Sequence, residues 1–172
     1  MSANLAPCKP DISTPARATA VAFEDSNRLH YLEHGVIIAP DGWRIATAVG
    51  YSNKLSFPNQ KLSLVADITV THNHPHRHSF SYEDIELAVE FQMREIRCVT
   101  RDHRHFAWGF AGVDLTRIAS EYIQLEPYGQ HQALGLAMAG AIPFSDAKIE
   151  SVHYTWTRVS KTLGFHYERE PS

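Results

Sequence analysis

The distribution of apolar and polar residues predicts strands and helices that follow a polar N-terminal segment. Residues 1–18 contain three prolines among small and polar residues and show no period that would bury one face. We therefore expect a loose arm in this segment. The short apolar run 20–23 predicts a strand. Two further β-prone runs, 35–39 and 43–49, flank Pro40-Asp41-Gly42, and an Asp-Gly between such runs is typical of a β-hairpin.

The central part of the chain predicts a strand that leads into a histidine-rich loop. In chain order we expect a loop at 50–58, a short helix at 59–66 and a buried strand at 67–71. Ser81, followed three residues later by Asp84, resembles a capping box that starts a helix. Apolar residues at helical spacing, from Ile85 to Met93, continue that helix.

The C-terminal part is predicted to be mainly helical. Two more strands are expected first, at 95–100 and 105–110. Helices are then expected at 114–125, which would end near Pro127, and at 130–141, whose Ala and Gly residues allow close packing. A last helix is expected to be capped by Ser145 and to end at Gly164.

The order of these elements predicts an α/β protein of the α+β type, with a mixed β-sheet flanked by helices. The chain has 172 residues and 44% hydrophobic content, which suffices for one buried core and not for two. We expect a single domain over 19–172, with a core at 19–110 and a helical C-terminal extension at 111–172.

Composition restricts the classes of function. A net charge of −3 and a pI near 6.4 argue against nucleic acid as a partner, since nucleic-acid-binding domains are usually basic on one face. The basic cluster of Arg97, Arg101 and 103–105 is expected to be a solvated face or loop, with contact to an acidic partner as the alternative. Cys8 and Cys98 form no recognisable disulfide or metal pattern.

The sequence contains neither a signal peptide pattern nor an apolar run that could span a membrane. The expected location is therefore the cytoplasm, with secretion without a cleaved signal as the alternative.

The segment around two histidines carries the candidate chemistry. His72 and His74 are separated by one residue, so on an extended strand both imidazoles point the same way. Asp84, in the first turn of the expected helix, offers a carboxylate as third ligand. Zinc binds imidazole nitrogen and carboxylate oxygen readily, and three protein ligands leave a fourth position open, as in catalytic zinc sites.

These residues resemble the signature of the JAMM (JAB, MPN+) metallopeptidases, and most closely that of their bacterial RadC-like relatives. His72-Asn73-His74-Pro75 resembles the family's His-x-His-Pro, and Ser81-Tyr82-Glu83-Asp84 resembles its Ser-x-x-Asp. The segment 32–38 resembles the strand that carries the family's glutamate. The loop between the two motifs is one residue shorter than is usual in the family. The resemblance covers the chain from about Glu33 to about Trp108.

The resemblance implies a JAMM-like fold and a zinc ion held by His72, His74 and Asp84. It implies that Glu33 is the general base and later the acid that protonates the leaving amine. Ser81 would donate a hydrogen bond to the oxyanion of a tetrahedral intermediate. The implied reaction is the hydrolysis of an amide or isopeptide bond.

Several assignments stay open at this level. Glu24 competes with Glu33 for the role of the base, and Ser81 has the simpler alternative of a helix cap. His76 and His78 have three alternatives: a second ion, a substrate groove, or exposure to solvent, which we favour. Asn73 is expected to fix the loop rather than to contact substrate.

The predicted function is that of a zinc-dependent metallohydrolase acting on a protein or peptide, with a ubiquitin-like modifier as one candidate substrate and a deubiquitinase-like or toxin-type effector role. One alternative is a JAMM-fold scaffold without catalysis. Another is a RadC-like, DNA-associated or nuclease-like protein. We reject an HNH nuclease, because that fold spreads its three residues over a ββα unit.

Overall fold

A computed structural model of the chain describes residues 10–51, 55–57, 62 and 66–172. In these ranges, six strands form one mixed sheet that four helices flank, which confirms the predicted α+β class. The elements in chain order are α1 (Pro15–Asn27), β1 (His34–Ile38), β2 (Arg44–Val49), β3 (Thr69–Asn73), α2 (Tyr82–Glu90), β4 (Glu95–Val99), β5 (His103–Trp108), α3 (Ile118–Met138), α4 (Ala147–Leu163) and β6 (His166–Pro171).

The sheet has the strand order β2-β1-β3-β4-β5-β6. β1 and β2 form the antiparallel hairpin that Asp41-Gly42 predicted, with Gly42 at a φ of 89°. β3 and β4 are the parallel pair, connected through α2, and the other neighbours are antiparallel. The predicted strands 67–71, 95–100 and 105–110 are confirmed with shifted bounds.

One face of the sheet is covered by α1, where a strand had been expected at 20–23. Thr14 caps this helix by accepting a hydrogen bond from the Arg17 amide, and Pro15 occupies its first turn. Ala16, Ala20 and Phe23 share one helix face and pack against Val36 and Ile38. The strand prediction is wrong because this helical spacing extends beyond the short apolar run.

The position of α1 also changes the expected arm. Helical structure begins at Pro15, so the segment 15–18 belongs to the folded domain and not to the loose arm predicted over 1–18. Residues 1–9 lie outside the described ranges. Residues 52–54 and 58 of the predicted loop at 50–58 also lie outside them, as does most of the helix predicted at 59–66.

The main core lies on the opposite face, between the sheet and the helices α2 and α4. Ile85 from α2 and Trp156 and Val159 from α4 have no exposed surface. The Trp156 indole donates a hydrogen bond of 2.8 Å to the carbonyl of Phe80. This bond fastens the end of the histidine-rich loop to the core.

Residues 118–138 form one helix, α3, where two helices separated near Pro127 had been predicted. Proline in a helix interior removes one hydrogen bond and costs about 3 kcal/mol. Packing on both sides of Pro127 offsets this cost, because Ile118 before it and Gly129, Ala133 and Ala137 after it are buried. The expected close packing of the Ala- and Gly-rich part is confirmed.

The C-terminal segment contains a strand, β6, in addition to the predicted helices. Asp146 occupies the N-cap position of α4 without a side-chain hydrogen bond to the helix. The cap predicted at Ser145 is wrong, because Ser145 lies in a short 3-10 turn, Phe144–Asp146. Gly164 ends α4 in the left-handed conformation, with a φ of 86°, as predicted. The chain then returns as β6, an edge strand that pairs with β5. β6 was not predicted from the sequence, because its residues are mostly polar.

Under α1 lies a buried ion cluster, formed by Glu24, Arg97 and Arg104. Arg97 donates to both Glu24 oxygens, at 2.7 and 3.2 Å, and Arg104 donates at 3.1 Å. The Thr71 hydroxyl adds a fourth bond at 2.9 Å. The expectation of a solvated basic face is therefore wrong for Arg97 and Arg104, as it is for the buried His105.

None of the helices in the described ranges has the length and apolar character required to cross a membrane.

Gly129 and Gly135 provide a matched test of the contact between α3 and α4. A Cβ atom at Gly129 would lie 2.1 Å from the Thr155 hydroxyl oxygen and 2.3 Å from the Ser151 carbonyl oxygen, whereas one at Gly135 would meet no atom within 4 Å. We expect Gly129→Ala to lower the free energy of unfolding by roughly 1–3 kcal/mol through overpacking. Gly135→Ala should raise it by up to about 1 kcal/mol, because Ala favours the helix.

Equilibrium denaturation in urea measures both effects. An unchanged or raised stability of Gly129→Ala would show that the two helices do not approach as closely as described.

Candidate metal centre

Strand β3 and helix α2 bring His72, His74 and Asp84 together. β3 lies in the interior of the sheet, and His72 faces the main core side, as Val70 does two residues earlier. His74 follows the end of β3, and its amide donates to the carbonyl of Val99 at 2.8 Å. The first turn of α2 presents Asp84 to both rings.

The three side chains converge on one point. The Nε2 atoms of His72 and His74 lie 2.8 Å apart. Asp84 Oδ1 lies 3.4 Å from His72 Nε2, and Asp84 Oδ2 lies 3.7 Å from His74 Nε2. Ligands of a tetrahedral zinc ion are separated by about 3.3 Å, from bond lengths near 2.0 Å. Small side-chain adjustments therefore bring these atoms to ligand distances, and the group is able to hold a metal ion.

Hydrogen bonds orient the His74 ring for this purpose. His74 Nδ1 lies 2.9 Å from the carbonyl oxygen of His78 and 3.1 Å from that of Ser79. A carbonyl can only accept, so Nδ1 carries the proton, and in the neutral ring Nε2 keeps its lone pair. Metal-binding histidines typically donate their second ring nitrogen in this way.

Ser81 and Asp84 form the predicted capping box. The amide and hydroxyl of Ser81 donate to Asp84 Oδ2 at 2.8 and 2.9 Å, and the Asp84 amide donates to the Ser81 hydroxyl oxygen at 3.2 Å. The box fixes the Asp84 carboxylate with Oδ1 directed to His72. The capping alternative for Ser81 is confirmed, and its part in stabilising an oxyanion stays a prediction.

Burial and charge act in opposite directions on the three ligands. Burial alone would lower the pKa of His72, but the Asp84 carboxylate, with Glu33, outweighs burial and raises it. Burial and the neighbouring His72 lower the pKa of His74 to about 4. Burial disfavours ionised Asp84, yet the two histidines hold the pKa of this carboxyl well below its usual range. Asp84 and His74 are therefore in their ligand forms at neutral pH.

Glu33 lies at the same site, immediately before β1. Gly35 is paired with His72, and alternation along the chain places Glu33, two residues earlier, on the same side. Glu33 is 7% exposed and lines one cavity with all three ligands. Burial raises the pKa of its carboxyl, the charge of Asp84 adds to this, and His72 opposes it.

The competing Glu24 is excluded from this role by its position. It lies in α1 on the other face of the sheet, where the ion cluster with Arg97 and Arg104 engages both of its oxygens. Of the two glutamates, Glu33 alone lines the cavity.

Asn73 holds the Glu33 segment against the ligand strand. Its Oδ1 accepts from the His34 amide at 2.6 Å, and its Nδ2 donates to the carbonyls of His30 and Leu32 at 3.3 and 3.0 Å. Asn73 is fully buried and therefore fixes backbone, as expected. The segment that it fixes is 30–34 and not the histidine-rich loop.

The histidine-rich loop is anchored by a buried tyrosine that the sequence analysis missed. The Tyr167 hydroxyl from β6 lies 3.0 Å from each of Ser79 Oγ, His105 Nδ1 and His153 Nδ1. One donor and two acceptor positions satisfy these three partners. Ser79 also supplies a carbonyl to His74, so the Tyr167 cluster supports the ligand indirectly.

His76 and His78 are outside the ligand group. His76 is exposed, as expected. His78 is half-buried, and burial together with the nearby positive charge of Lys148 lowers the pKa of its imidazole. Both line the cavity. The described residues contain no other group of three or more His, Cys, Asp or Glu side chains placed to hold a metal ion.

The different pKa values of the ligands predict how metal binding depends on pH. Metal ligands must be deprotonated, and near pH 6 only His72, with its raised pKa, still carries a proton. We expect added Zn²⁺ to release about one proton per chain from the ligands at pH 6. Affinity should rise about tenfold per pH unit from above pH 4 until His72 is neutral, and then level off.

Isothermal titration calorimetry at pH 6, in two buffers of different ionisation enthalpy, counts the released protons. Release of two protons, or of none, would contradict the assignment of His72 as the one protonated ligand.

In comparisons of the chain with protein-family models, with curated proteins and with solved structures, no match was found. The chemical interpretation of the centre therefore depends on its own geometry.

Proposed function

We propose that the protein is a zinc-dependent metallohydrolase that cleaves amide or isopeptide bonds. The observation that carries this proposal is the convergence of His72, His74 and Asp84 in a cavity that Glu33 also lines. Three ligands with a nearby acid–base residue are the composition of a catalytic metal site, whereas structural zinc sites are closed by four protein ligands.

The donor set supports zinc as the metal. Two imidazole nitrogens and one carboxylate oxygen, from His72, His74 and Asp84, match the ligands of known catalytic zinc sites. Bound zinc would supply Lewis acidity, which polarises a carbonyl group and lowers the pKa of water toward about 7.

Glu33 has the position and the environment for proton transfer. A general base takes a proton from the attacking water and then, as the acid, delivers it to the leaving amine. Burial raises the pKa of the Glu33 carboxyl above its ordinary value, which favours a group that must both accept and donate a proton. Asn73 supports this role by fixing the backbone on both sides of Glu33.

The Ser81 hydroxyl lines the same cavity and donates to Asp84. In the proposed mechanism this hydroxyl turns to the oxyanion that forms when the amide carbonyl is attacked. A well-placed donor of this kind contributes on the order of 3 kcal/mol to the stability of the transition state.

The cavity favours a neutral peptide over a nucleic acid. Phosphate groups are usually held by Arg and Lys side chains, and the described residues that line the cavity include neither. The substrate class that we propose is a protein or peptide, with a ubiquitin-like modifier as one candidate. A scaffold without catalysis would have no need for a complete ligand set beside a buried glutamate.

Replacement of Glu33 by Gln tests the proposal. Glu33→Gln keeps the size of the side chain and removes its proton transfer, so we expect turnover to fall by roughly 10²- to 10⁴-fold. Zinc content should stay at the wild-type level, because Glu33 is not in the ligand group. Hydrolysis is measured on a fluorogenic peptide library, and zinc by elemental analysis.

Glu83→Gln is the matched control, since Glu83 also lines the cavity from the first turn of α2 but is exposed. It should keep most of the activity. Full activity of Glu33→Gln would exclude Glu33 as the base, and loss of zinc from this variant would make it a ligand.

A further inference from the structure

The cavity that contains the candidate metal centre also has a large apolar part. Its volume is about 700 Å³, within the range of cavities that bind small ligands. We call the apolar part the apolar wall, and it consists of Leu55, Phe57, Val70, Leu87, Ile96 and Val152. The polar part of the cavity contains the candidate ligands His72, His74 and Asp84, together with Glu33 and their neighbours.

The elements that carry the metal ligands also carry the apolar wall. Val70 precedes His72 by two residues on β3, so both side chains point into the cavity. Leu87 follows Asp84 by three residues on α2, which places it one helical turn away on the same side. Val70 is buried at 1% exposure, whereas Leu87 is partly exposed. A group bound at the candidate metal centre therefore lies beside apolar side chains of both supporting elements, with Leu87 offering the accessible surface.

Gly35 leaves space for another part of the wall. It is paired with His72 across β1 and β3. A Cβ atom at this position would lie 2.3 Å from Leu55 Cδ2 and 2.6 Å from Phe57 Cζ, distances that atoms do not adopt. Because residue 35 has no side chain, Leu55 and Phe57 can approach the strand beside the metal centre.

We propose that the apolar wall is a specificity subsite that receives a large apolar side chain, aromatic or leucine-like, from the substrate residue next to the scissile bond. This subsite would be part of the proposed active site, and the existence of a scissile bond rests on the proposed function. Transfer of such a side chain from water to the wall should strengthen binding by roughly ten- to a hundredfold over glycine. A glycine at this position would leave the wall unfilled.

A charged side chain is a poor occupant of the same space. Charge buried without a partner is costly, and the described lining offers no Lys or Arg to pair with an acidic group. The acidic residues of the lining, Glu33, Glu83 and Asp84, are at the metal centre or beside it. The apolar wall and the polar candidate metal centre are therefore separate parts of one cavity.

Two small probes test the subsite without metal or hydrolysis. N-acetylphenylalanine N-methylamide and N-acetylglycine N-methylamide differ only in the side chain, and each is titrated into the full chain while methyl NMR signals are recorded. We expect the phenylalanine probe to shift the signals of Val70, Leu87 and Val152 and to bind at least tenfold more tightly. Equal affinities, or shifts elsewhere only, would overturn the proposal.

Substitutions that fill the cavity provide the second part of the test. Leu87→Trp should abolish the preference for the phenylalanine probe, whereas Glu90→Trp, at an exposed position three residues later on α2, should keep it. Val152→Phe fills the cavity from α4 and replaces Leu87→Trp if that variant does not fold. A preference that survives in the folded filling variant would also overturn the proposal.

Cleavage of paired peptides then separates this inference from the proposed function. Selective binding of the phenylalanine probe without hydrolysis of any peptide would support the subsite and contradict the metallohydrolase. Hydrolysis with equal rates for phenylalanine and glycine peptides would support the metallohydrolase and contradict the subsite.

Discussion

The alternation of side chains along β3 determines which contacts form on each face of the sheet. All five residues of this interior strand are buried, so both of its faces must be satisfied. Val70 and His72 face the cavity, whereas Thr71 binds Glu24 on the α1 face and Asn73 binds the segment before β1. A shift of one residue in register would turn His72 to the opposite face, and it would break both sets of contacts together.

The two faces of the sheet stabilise a carboxylate group in different ways. Under α1, the Glu24 carboxylate is compensated by Arg97, Arg104 and a hydroxyl, and its hydrogen bonds offset the cost of removing charge from water. At the candidate metal centre, Asp84 is compensated by two histidines and the capping box, which leave a potential ligand atom on each of the three residues. The first arrangement holds the fold, and the second is suited to receive a cation.

Local patterns in the sequence were sufficient to predict much of the candidate centre. The spacing of His72 and His74 predicted that both imidazoles point the same way, and the Ser81–Asp84 capping box predicted the start of α2. The Asp-Gly turn fixed the β1–β2 hairpin in the same way. Each of these features depends on residues within about four positions of one another, which is the range over which backbone geometry is determined locally.

The features that were missed depend on contacts between distant residues. α3 continues through Pro127 because α4 packs against both of its halves, and β6 forms because the edge of β5 is available to it. Glu24 lies 73 residues before Arg97 and 80 before Arg104, so their buried cluster has no local signal in the sequence. The Tyr167 hydroxyl likewise meets its three partners only in the folded protein.

The zinc content of the purified protein shows whether His72, His74 and Asp84 hold a metal ion. Wild type should hold about one zinc ion per chain by elemental analysis, and a folded His72→Ala/His74→Ala variant should hold none. A His76→Ala/His78→Ala variant, which removes two neighbouring histidines outside the ligand group, should keep the wild-type content. A folded wild type that binds no metal even after zinc is added, or a His72/His74 variant that keeps it, would contradict the account.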